Sequence, residues 1–211
     1  MSVFPATPRP VNSPWGAIQQ ADQLAPGIWS VMTASHGGLL LSDARQDAMP
    51  DVLRLDENAY EEDADWCLVY LAFEGELAQQ KTCTAGFLQL ARDTARCWHS
   101  DRFTAHTSET VAPNESHILR TRAAYQAAIG EFCMTSAWGD WADWVPQGKT
   151  GVIARRLTSV NHLGRPTYAD DEVCALIDKD AYAQRGEVTM LASIPHEIID
   201  PPAELRSKRV A

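Results

Sequence analysis

Ser35 and His36 are adjacent in the segment TASHGG, and their side chains are those of a nucleophile and a general base. Adjacent residues rarely point at each other productively, and nucleophilic catalysis also needs a third group that only the fold can position. The following Gly37 and Gly38 have a simpler interpretation, because glycine permits a positive φ in a tight turn. The pattern therefore predicts a turn between two strands.

An enzyme stays open as an alternative. A hydrolase or nucleotide-modifying enzyme would need His36 to meet an acid, such as Glu62 or Asp140, in a cleft of the folded chain. The sequence offers no further support for such a site. A non-enzymatic protein is therefore the preferred interpretation, and no catalytic residue is assigned.

The acidic run Glu61, Glu62, Asp63 and Asp65 has the oxygen ligands that a hard cation prefers. A calcium loop also needs alternating ligands, a glycine in mid-loop and a bidentate acid at its end, and that spacing is missing here. The run is better interpreted as acids in the first turn of a helix, where the helix dipole favours them. It would also form part of an acidic surface.

The histidines do not form a zinc motif. No H-x-x-x-H or H-E-x-x-H spacing occurs, so the pattern predicts neither a metal site nor a cofactor. The six are isolated in the chain: His36, His99, His106, His117, His162 and His196.

The stretch AWGDWADWVPQGKTG, residues 137–151, places three tryptophans at steps of three, with an aspartate before two of them. A phosphate loop would need glycine at position 143, which is Asp143, so Lys149 and Thr150 are expected to belong to a loop that leads into a strand. Trp141 or Trp144 should lie partly exposed at the tip of a hairpin, as an interface anchor would. The alternative is that the indoles fold back over the sheet edge as a minor core.

The net charge of the chain is -10, and the negative charge is concentrated. Residues 43–65 contain nine acids against Arg45 and Arg54. Such a surface repels phosphate backbones, which disfavours direct binding to nucleic acid, and it attracts a basic protein surface. The alternative is a solvated acidic face that only maintains solubility.

The cysteines indicate neither disulfides nor zinc. They are odd in number and lack a C-x-x-C pair, so each is predicted to be a small buried apolar residue. No apolar run approaches the ~20 residues of a membrane span, and the N-terminus has no signal-peptide pattern. These features predict a cytoplasmic protein with no membrane partner. The five are Cys67, Cys83, Cys97, Cys133 and Cys174.

The order of elements predicts an α+β fold. Short apolar segments divided by LAPG and SHGG indicate a three-stranded antiparallel meander over residues 16–42. About three helices follow, beginning near residue 60, near residue 85 and at Asn114, and they are expected to pack on one face. Strand patterns return after residue 130, which completes an antiparallel sheet. The predicted organisation is a flexible proline-rich arm (1–14), a single α+β domain (15–195) and a loose C-terminal tail (196–211).

Several segments together resemble an uncharacterised domain found in proteins of bacterial plasmids and phages. The resemblance spans roughly residues 14–155 and implies a mobile-element context, without an established activity. Met32 stands where the pattern has serine. The matching motifs are PWG at 14–16, APGIW at 25–29, TASHGG at 33–38, YEEDADW at 60–66 and SAWGDW at 136–141.

These features favour an acidic inhibitor that binds a host-defence assembly, and the resemblance suggests a CRISPR-Cas surveillance complex. Inhibition would block nucleic-acid binding or pull subunits apart. A plasmid or phage accessory scaffold is a further alternative. The predicted partner-binding residues are Asp56, Glu57, Glu61, Glu62, Asp63, Asp65, Asp140, Trp141, Asp143 and Trp144.

Overall fold

The structure of the protein is a computed structural model that describes residues 3–81, 83–202 and 205. The chain divides into two compact units, at residues 1–117 and 118–211, which we call unit 1 and unit 2. Both combine helices with antiparallel strands, so the predicted α+β class is confirmed. No helix within the described ranges is long and apolar enough to cross a lipid bilayer.

Unit 1 is built on a four-stranded antiparallel sheet in the order β3-β4-β5-β6. Its first three strands are the predicted meander. The first two of them are joined by a Pro26–Gly27 turn in which Gly27 has a φ of +78°. A two-stranded hairpin precedes the sheet. The strands are β1 (Asn12–Ser13), β2 (Gly16–Ala17), β3 (Gln20–Ala25), β4 (Ile28–Met32), β5 (Gly37–Leu41) and β6 (Ala59–Glu61).

Two helices of unit 1 begin at a residue whose side chain caps them. Ser42 accepts a hydrogen bond from the backbone N–H of Arg45, and Thr84 accepts one from Phe87. On the longest helix, Ala91 and Ala95 form the buried part of the predicted apolar stripe. The helices are α1 (Asp43–Asp47), α2 (Trp66–Ala72), α3 (Glu74–Leu77), α4 (Ala85–Trp98) and α5 (Ser100–Thr107).

Arg45 is completely buried in unit 1. Its guanidinium lies over the rings of Phe4 and Phe73, 3.7 and 4.7 Å from their centroids, in two cation–π contacts, and the two rings meet edge to face at 5.9 Å. It also lies 2.7 Å from the carboxylate of Glu76 and donates from Nε to the carbonyl of Pro26. The charge count of residues 43–65 treated Arg45 as a surface charge that offsets acids of the same segment. That is wrong, because Arg45 is buried and pairs with Glu76, which lies outside the segment.

The N-terminal arm is extended, as the prolines predict, but it is more closely packed than a flexible arm. Phe4 covers Arg45, and Thr7 accepts a hydrogen bond from the indole of Trp29. At the other end of the chain, residues 196–199 of the predicted loose tail form a strand, because they pair with a long neighbouring strand. Residues 203, 204 and 206–211 of that tail lie outside the described residues.

Unit 2 holds a second four-stranded antiparallel sheet, in the order β10-β9-β8-β7. The C-terminal strands therefore form their own sheet and do not extend the meander. The single α+β domain over residues 15–195 stays a prediction. The elements are α6 (His117–Ala127, whose first residue closes unit 1), β7 (Phe132–Trp138), β8 (Lys149–Val160), β9 (Pro166–Asp178), α7 (Lys179–Ala183) and β10 (His196–Ile199).

The third predicted helix begins later than expected. Residues 113–115 form a 3-10 turn, and Ser116 is extended, so α6 starts at His117 and not at Asn114. The hydroxyl of Ser116 bonds to the carbonyl of Cys97 and to Ser100, both in unit 1, which holds its backbone out of the helix. The described residues contain seven α-helices where about three were predicted, because the four additional ones, α1, α3, α5 and α7, each span eight residues or fewer.

The buried cysteines agree in part with the prediction. Cys67, Cys133 and Cys174 are buried, while Cys83 and Cys97 are half-buried, and all five are free thiols. Burial raises the pKa of the Cys67 thiol to about 12, so it stays protonated at neutral pH. The thiol of Cys67 is therefore a packing group and not a nucleophile.

Candidate functional site

The acids of residues 43–65 form two groups at opposite ends of β6. Glu61 pairs in register with Gly38 at one end of the β5–β6 ladder, and Ala59 pairs with Leu40 towards the other. The single acidic patch predicted from sequence is therefore divided. We call the first group the loop acids (Asp43, Asp47, Asp51, Asp56 and Glu57) and the second the turn acids (Glu61, Glu62 and Asp63).

The loop acids lie on a segment that is held by a buried tyrosine. The hydroxyl of Tyr60 donates to Gln46 and accepts from the backbone N–H of Leu55. The side-chain amide of Gln46 then donates to the carbonyls of Leu55 and Glu57. Burial raises the pKa of Tyr60, so the hydroxyl remains a donor. Asp56 and Glu57 are exposed on the outside of this network.

Asp65 differs from the other predicted partner-binding acids. It is the residue before the first turn of α2, and its carboxylate lies 3.0 Å from Nε2 of His99. The His99 side chain is only 13% exposed, so this contact joins α2 to the junction between α4 and α5. The structure gives Asp65 a packing role. The prediction that acids occupy the first turn of this helix is wrong, because α2 begins at Trp66, after them.

The turn acids lie beside His36, which is in the β4–β5 turn, because β5 pairs with β6. The backbone of His36 is fixed by Thr33, whose hydroxyl donates to the His36 carbonyl and accepts from its N–H. Nδ1 of His36 lies 3.9 Å from Oε1 of Glu61. The other oxygen of Glu61 accepts from the backbone N–H of Asp63, at 2.6 Å. The sequence placed these residues 25 positions apart, and the pairing of β5 with β6 brings them together.

Gly37 and Gly38 both allow a close approach of β6 and the residues after it, and Gly38 also has the predicted positive φ, at +153°. A Cβ on Gly37 would lie 2.6 Å from a carboxylate oxygen of Glu62, and a Cβ on Gly38 would overlap the carbonyl of Tyr60. Gly37 does not have a positive φ. The sequence-based reason for this glycine was therefore wrong, whereas the predicted turn is present.

An apolar groove lies beside the turn acids in unit 1. Its volume is about 540 Å³, and Trp66, Phe87 and Leu90 form part of its lining together with Met32. The Leu90 and Met32 side chains are 52% and 54% exposed. Glu62 and Asp63 line the same groove, so an exposed apolar surface is bordered by negative charge. Exposed apolar surface bordered by polar groups is typical of an interaction site.

Sequence reasoning missed the apolar half of this groove. Leu90 precedes Ala91, so it lies one position off the buried stripe of α4, and an apolar residue off the stripe is the signal that could have found it. Met32 ends β4, where strand alternation turns it away from the buried Val31.

The Trp-Asp stretch of unit 2 combines both predicted arrangements. The rings of Trp138 and Trp144 meet edge to face at 5.6 Å and pack with Val145 and Leu176 on one side of the sheet. Trp144 lies so close over Gly151 that a Cβ there would overlap the indole. Trp141 is 75% exposed at the loop. The minor core is therefore confirmed for two tryptophans and the exposed ring for the third.

Asp140 organises the loop that carries Trp141. Its carboxylate accepts from the N–H of Gly148 and the amide of Gln147, and it pairs with Lys179 at 3.3 Å. The Gly148 N–H and then Lys179 lower the pKa of this carboxyl. Asp140 is thus used within unit 2, whereas Asp143 is exposed. Lys149 and Thr150 are the first two residues of β8, so the loop expected at these positions ends before them.

A family model described as "Domain of unknown function (DUF7007)" matches residues 8–129, and the chain belongs to this family. The match includes the whole groove and the turn acids. Comparison with curated proteins and with solved structures found no match.

Proposed function

For this member of the DUF7007 family, we propose an acidic, non-enzymatic protein that binds a basic surface of another protein through the groove of unit 1. The observation that carries this proposal is the apolar lining of Met32, Trp66 and Leu90 beside the carboxylates of Glu62 and Asp63. An apolar anchor gives affinity when its partner side chain is desolvated, and the surrounding charge selects and steers that partner.

The charge of the whole unit supports a basic partner. Residues 1–117 contain 16 acids against 7 lysines and arginines, so long-range attraction would add to the local contact with the groove. The same field disfavours direct binding to nucleic acid. A partner that itself binds nucleic acid would present the complementary surface.

The target in this proposal is a CRISPR-Cas surveillance complex in the cytoplasm of a bacterium. The support is the resemblance of residues 14–155 to domains of plasmid and phage proteins, together with the basic grooves that nucleic-acid-binding subunits present. Occupying such a groove would block nucleic acid or pull subunits apart. The loop acids and the exposed Trp141 are additional candidates for contact with the partner.

The test compares charge reversal in the two acidic groups. Glu62→Lys with Asp63→Lys alters the groove, and Asp56→Lys with Glu57→Lys makes the same charge change in the loop acids. All four side chains are exposed, so both variants are expected to fold. Asp65 is left unchanged because of its contact with His99. Tagged proteins are purified from a bacterium that carries CRISPR machinery, and their affinity for the co-purified complex is measured.

We expect the groove variant to lose about tenfold or more in affinity and the loop variant to lose less. Leu90→Asp should weaken binding as well, while the wild-type affinity should fall with added salt. Folded groove variants with wild-type affinity would contradict the proposal. Equal losses in both charge variants would place the contact over the whole acidic face of unit 1 and reject the groove.

A second candidate function is a hydrolase or nucleotide-modifying enzyme. The observation that supports it is the distance of 3.9 Å between Nδ1 of His36 and Oε1 of Glu61, a histidine beside an acid. His36 is exposed, and Asp140 is engaged with Gly148 and Lys179, so Glu61 and Glu62 are the acids that this candidate would use. Ester, phosphodiester and nucleotide substrates are tested with the wild type and with His36→Ala. Turnover that His36→Ala abolishes would favour the enzyme over the inhibitor.

A further inference from the structure

The side chains of His36, Glu61 and Glu62 converge on one point beside the groove. Their potential ligand atoms, one from each residue, all lie within 4.8 Å of one another. We propose that this cluster binds a divalent transition-metal ion of the zinc type. The inference is independent of the proposed function, because an ion can bind here whether or not a protein partner exists.

The ligand set is chemically suited to such an ion. One imidazole nitrogen and two carboxylate oxygens are a common donor set for zinc, whose bonds to these atoms are about 2.0–2.2 Å long. Two ligand atoms in a tetrahedral site then lie about 3.3 Å apart. The 3.9 Å between Nδ1 of His36 and Oε1 of Glu61 is close to that separation and longer than a hydrogen bond. The widest separation among the three ligand atoms is within 4.8 Å, so rotamer shifts that shorten it by about 1.5 Å would close the site.

The backbone around the three ligands is already fixed. Thr33 holds the His36 end of the turn through its hydroxyl, and the N–H of Glu62 donates to the carbonyl of Gly37 at 3.1 Å. The N–H of Asp63 occupies the second oxygen of Glu61 and leaves the oxygen that faces His36 available. Outer contacts of this kind orient metal ligands and raise their affinity.

Gly37 provides the space for the third ligand. Because a Cβ at this position would lie 2.6 Å from the Glu62 carboxylate, only glycine allows that carboxylate to approach the turn that carries His36. Three protein ligands would leave a coordination position for water or another donor. The imidazole favours zinc and cobalt over magnesium and calcium, which prefer oxygen donors alone.

The test is a titration of the full chain with Zn²⁺ by calorimetry and with Co²⁺ by visible absorption. The half-buried thiols of Cys83 and Cys97 could also bind these ions, so the reference protein carries Cys83→Ser and Cys97→Ser. We expect one ion per chain. His36→Ala and Glu62→Gln should each reduce the affinity about tenfold or more, and Mg²⁺ should bind more weakly than Zn²⁺.

Matched controls are His106→Ala and Glu57→Gln, which remove an exposed histidine and an exposed acid of unit 1 outside the cluster. Both should keep the affinity of the reference protein. Circular dichroism establishes that every variant is folded. The proposal is overturned if folded His36→Ala binds Zn²⁺ as tightly as the reference protein, if the controls lose as much affinity as the ligand variants, or if the reference protein binds no ion.

Discussion

The two units differ in where they keep their charge and their aromatic rings. Unit 1 contains 16 acids against 7 lysines and arginines, whereas unit 2 contains 12 against 11. In unit 1 the rings of Phe4 and Phe73 make cation–π contacts with a buried cation, Arg45. In unit 2 two tryptophans cover one side of an apolar sheet. Unit 1 therefore carries almost the whole net charge of the chain.

The difference indicates how a strongly acidic unit remains folded. Like charges on one surface repel each other and weaken the compact state. Unit 1 contains ion networks that offset this repulsion, such as Arg96 with Glu109 and Glu115 at 3.1 Å each. Unit 2 is nearly neutral and places its arginines across strands, as Arg156 with Asp171. The acids that stay outside such pairs in unit 1 are the ones a partner could use.

The largest effect is expected at Arg45. Arg45→Met removes the partner of Glu76, both cation–π contacts and the donor to Pro26, and it should lower the free energy of unfolding by about 4 kcal/mol. Urea denaturation measures this loss, and hydrogen exchange read by mass spectrometry locates it in unit 1. The control in unit 2 is Arg156→Met, whose half-exposed ion pair should cost less than about 1 kcal/mol. Equal losses would remove the contrast between the units.

A somewhat smaller effect is expected within the tryptophans of unit 2. Trp144→Ala leaves the surface of Gly151 and Trp138 uncovered and should lower the free energy of unfolding by about 3 kcal/mol. This loss is at the lower end for removal of a tryptophan side chain, because the ring is half-buried. Trp141→Ala removes a ring that is 75% exposed and should change stability by less than about 0.5 kcal/mol. Urea denaturation checks both. A large loss in Trp141→Ala would mean that this ring belongs to the core.

The smallest effects concern one carboxylate in each unit. The N–H of Gly148 lowers the pKa of Asp140, and the N–H of Ala112 lowers that of Glu115. Because these pKa values are lower in the folded protein, the carboxylates stabilise it above their ordinary pKa values of 3.8 and 4.5. The contribution is lost as pH falls through the folded pKa.

Asp140→Asn and Glu115→Gln should therefore lower the melting temperature slightly at neutral pH, and the difference from wild type should disappear in acid. Thermal unfolding over a pH series measures the change. Asp143→Asn, at an exposed acid near Asp140, is the matched control and should follow the wild type. A difference that persists unchanged below the folded pKa would show that the charge is not responsible.

Local patterns were sufficient for most of the fold. The short apolar segments of residues 16–42 and the turn signals LAPG and SHGG between them predicted the meander, because segment composition and turn chemistry are properties of neighbouring residues. The start of α6 was predicted three residues early, since the bonds of Ser116 to Cys97 and Ser100 come from distant positions. The separation into two sheets could not be read from the order of strands, because that order is compatible with one sheet or two.

The acidic composition and the secondary-structure types follow from the sequence alone, because each depends on residue type and short-range spacing, whereas the structure decided that Trp141 is the exposed ring of the 139–148 loop. The tertiary structure decided which acids are available. The pairing of β5 with β6 brought His36 to Glu61 and separated Glu62 from Glu57, and packing buried Arg45 and joined Asp65 to His99. Those outcomes depend on contacts between residues far apart in the chain, and a charge count along the sequence contains no information about them.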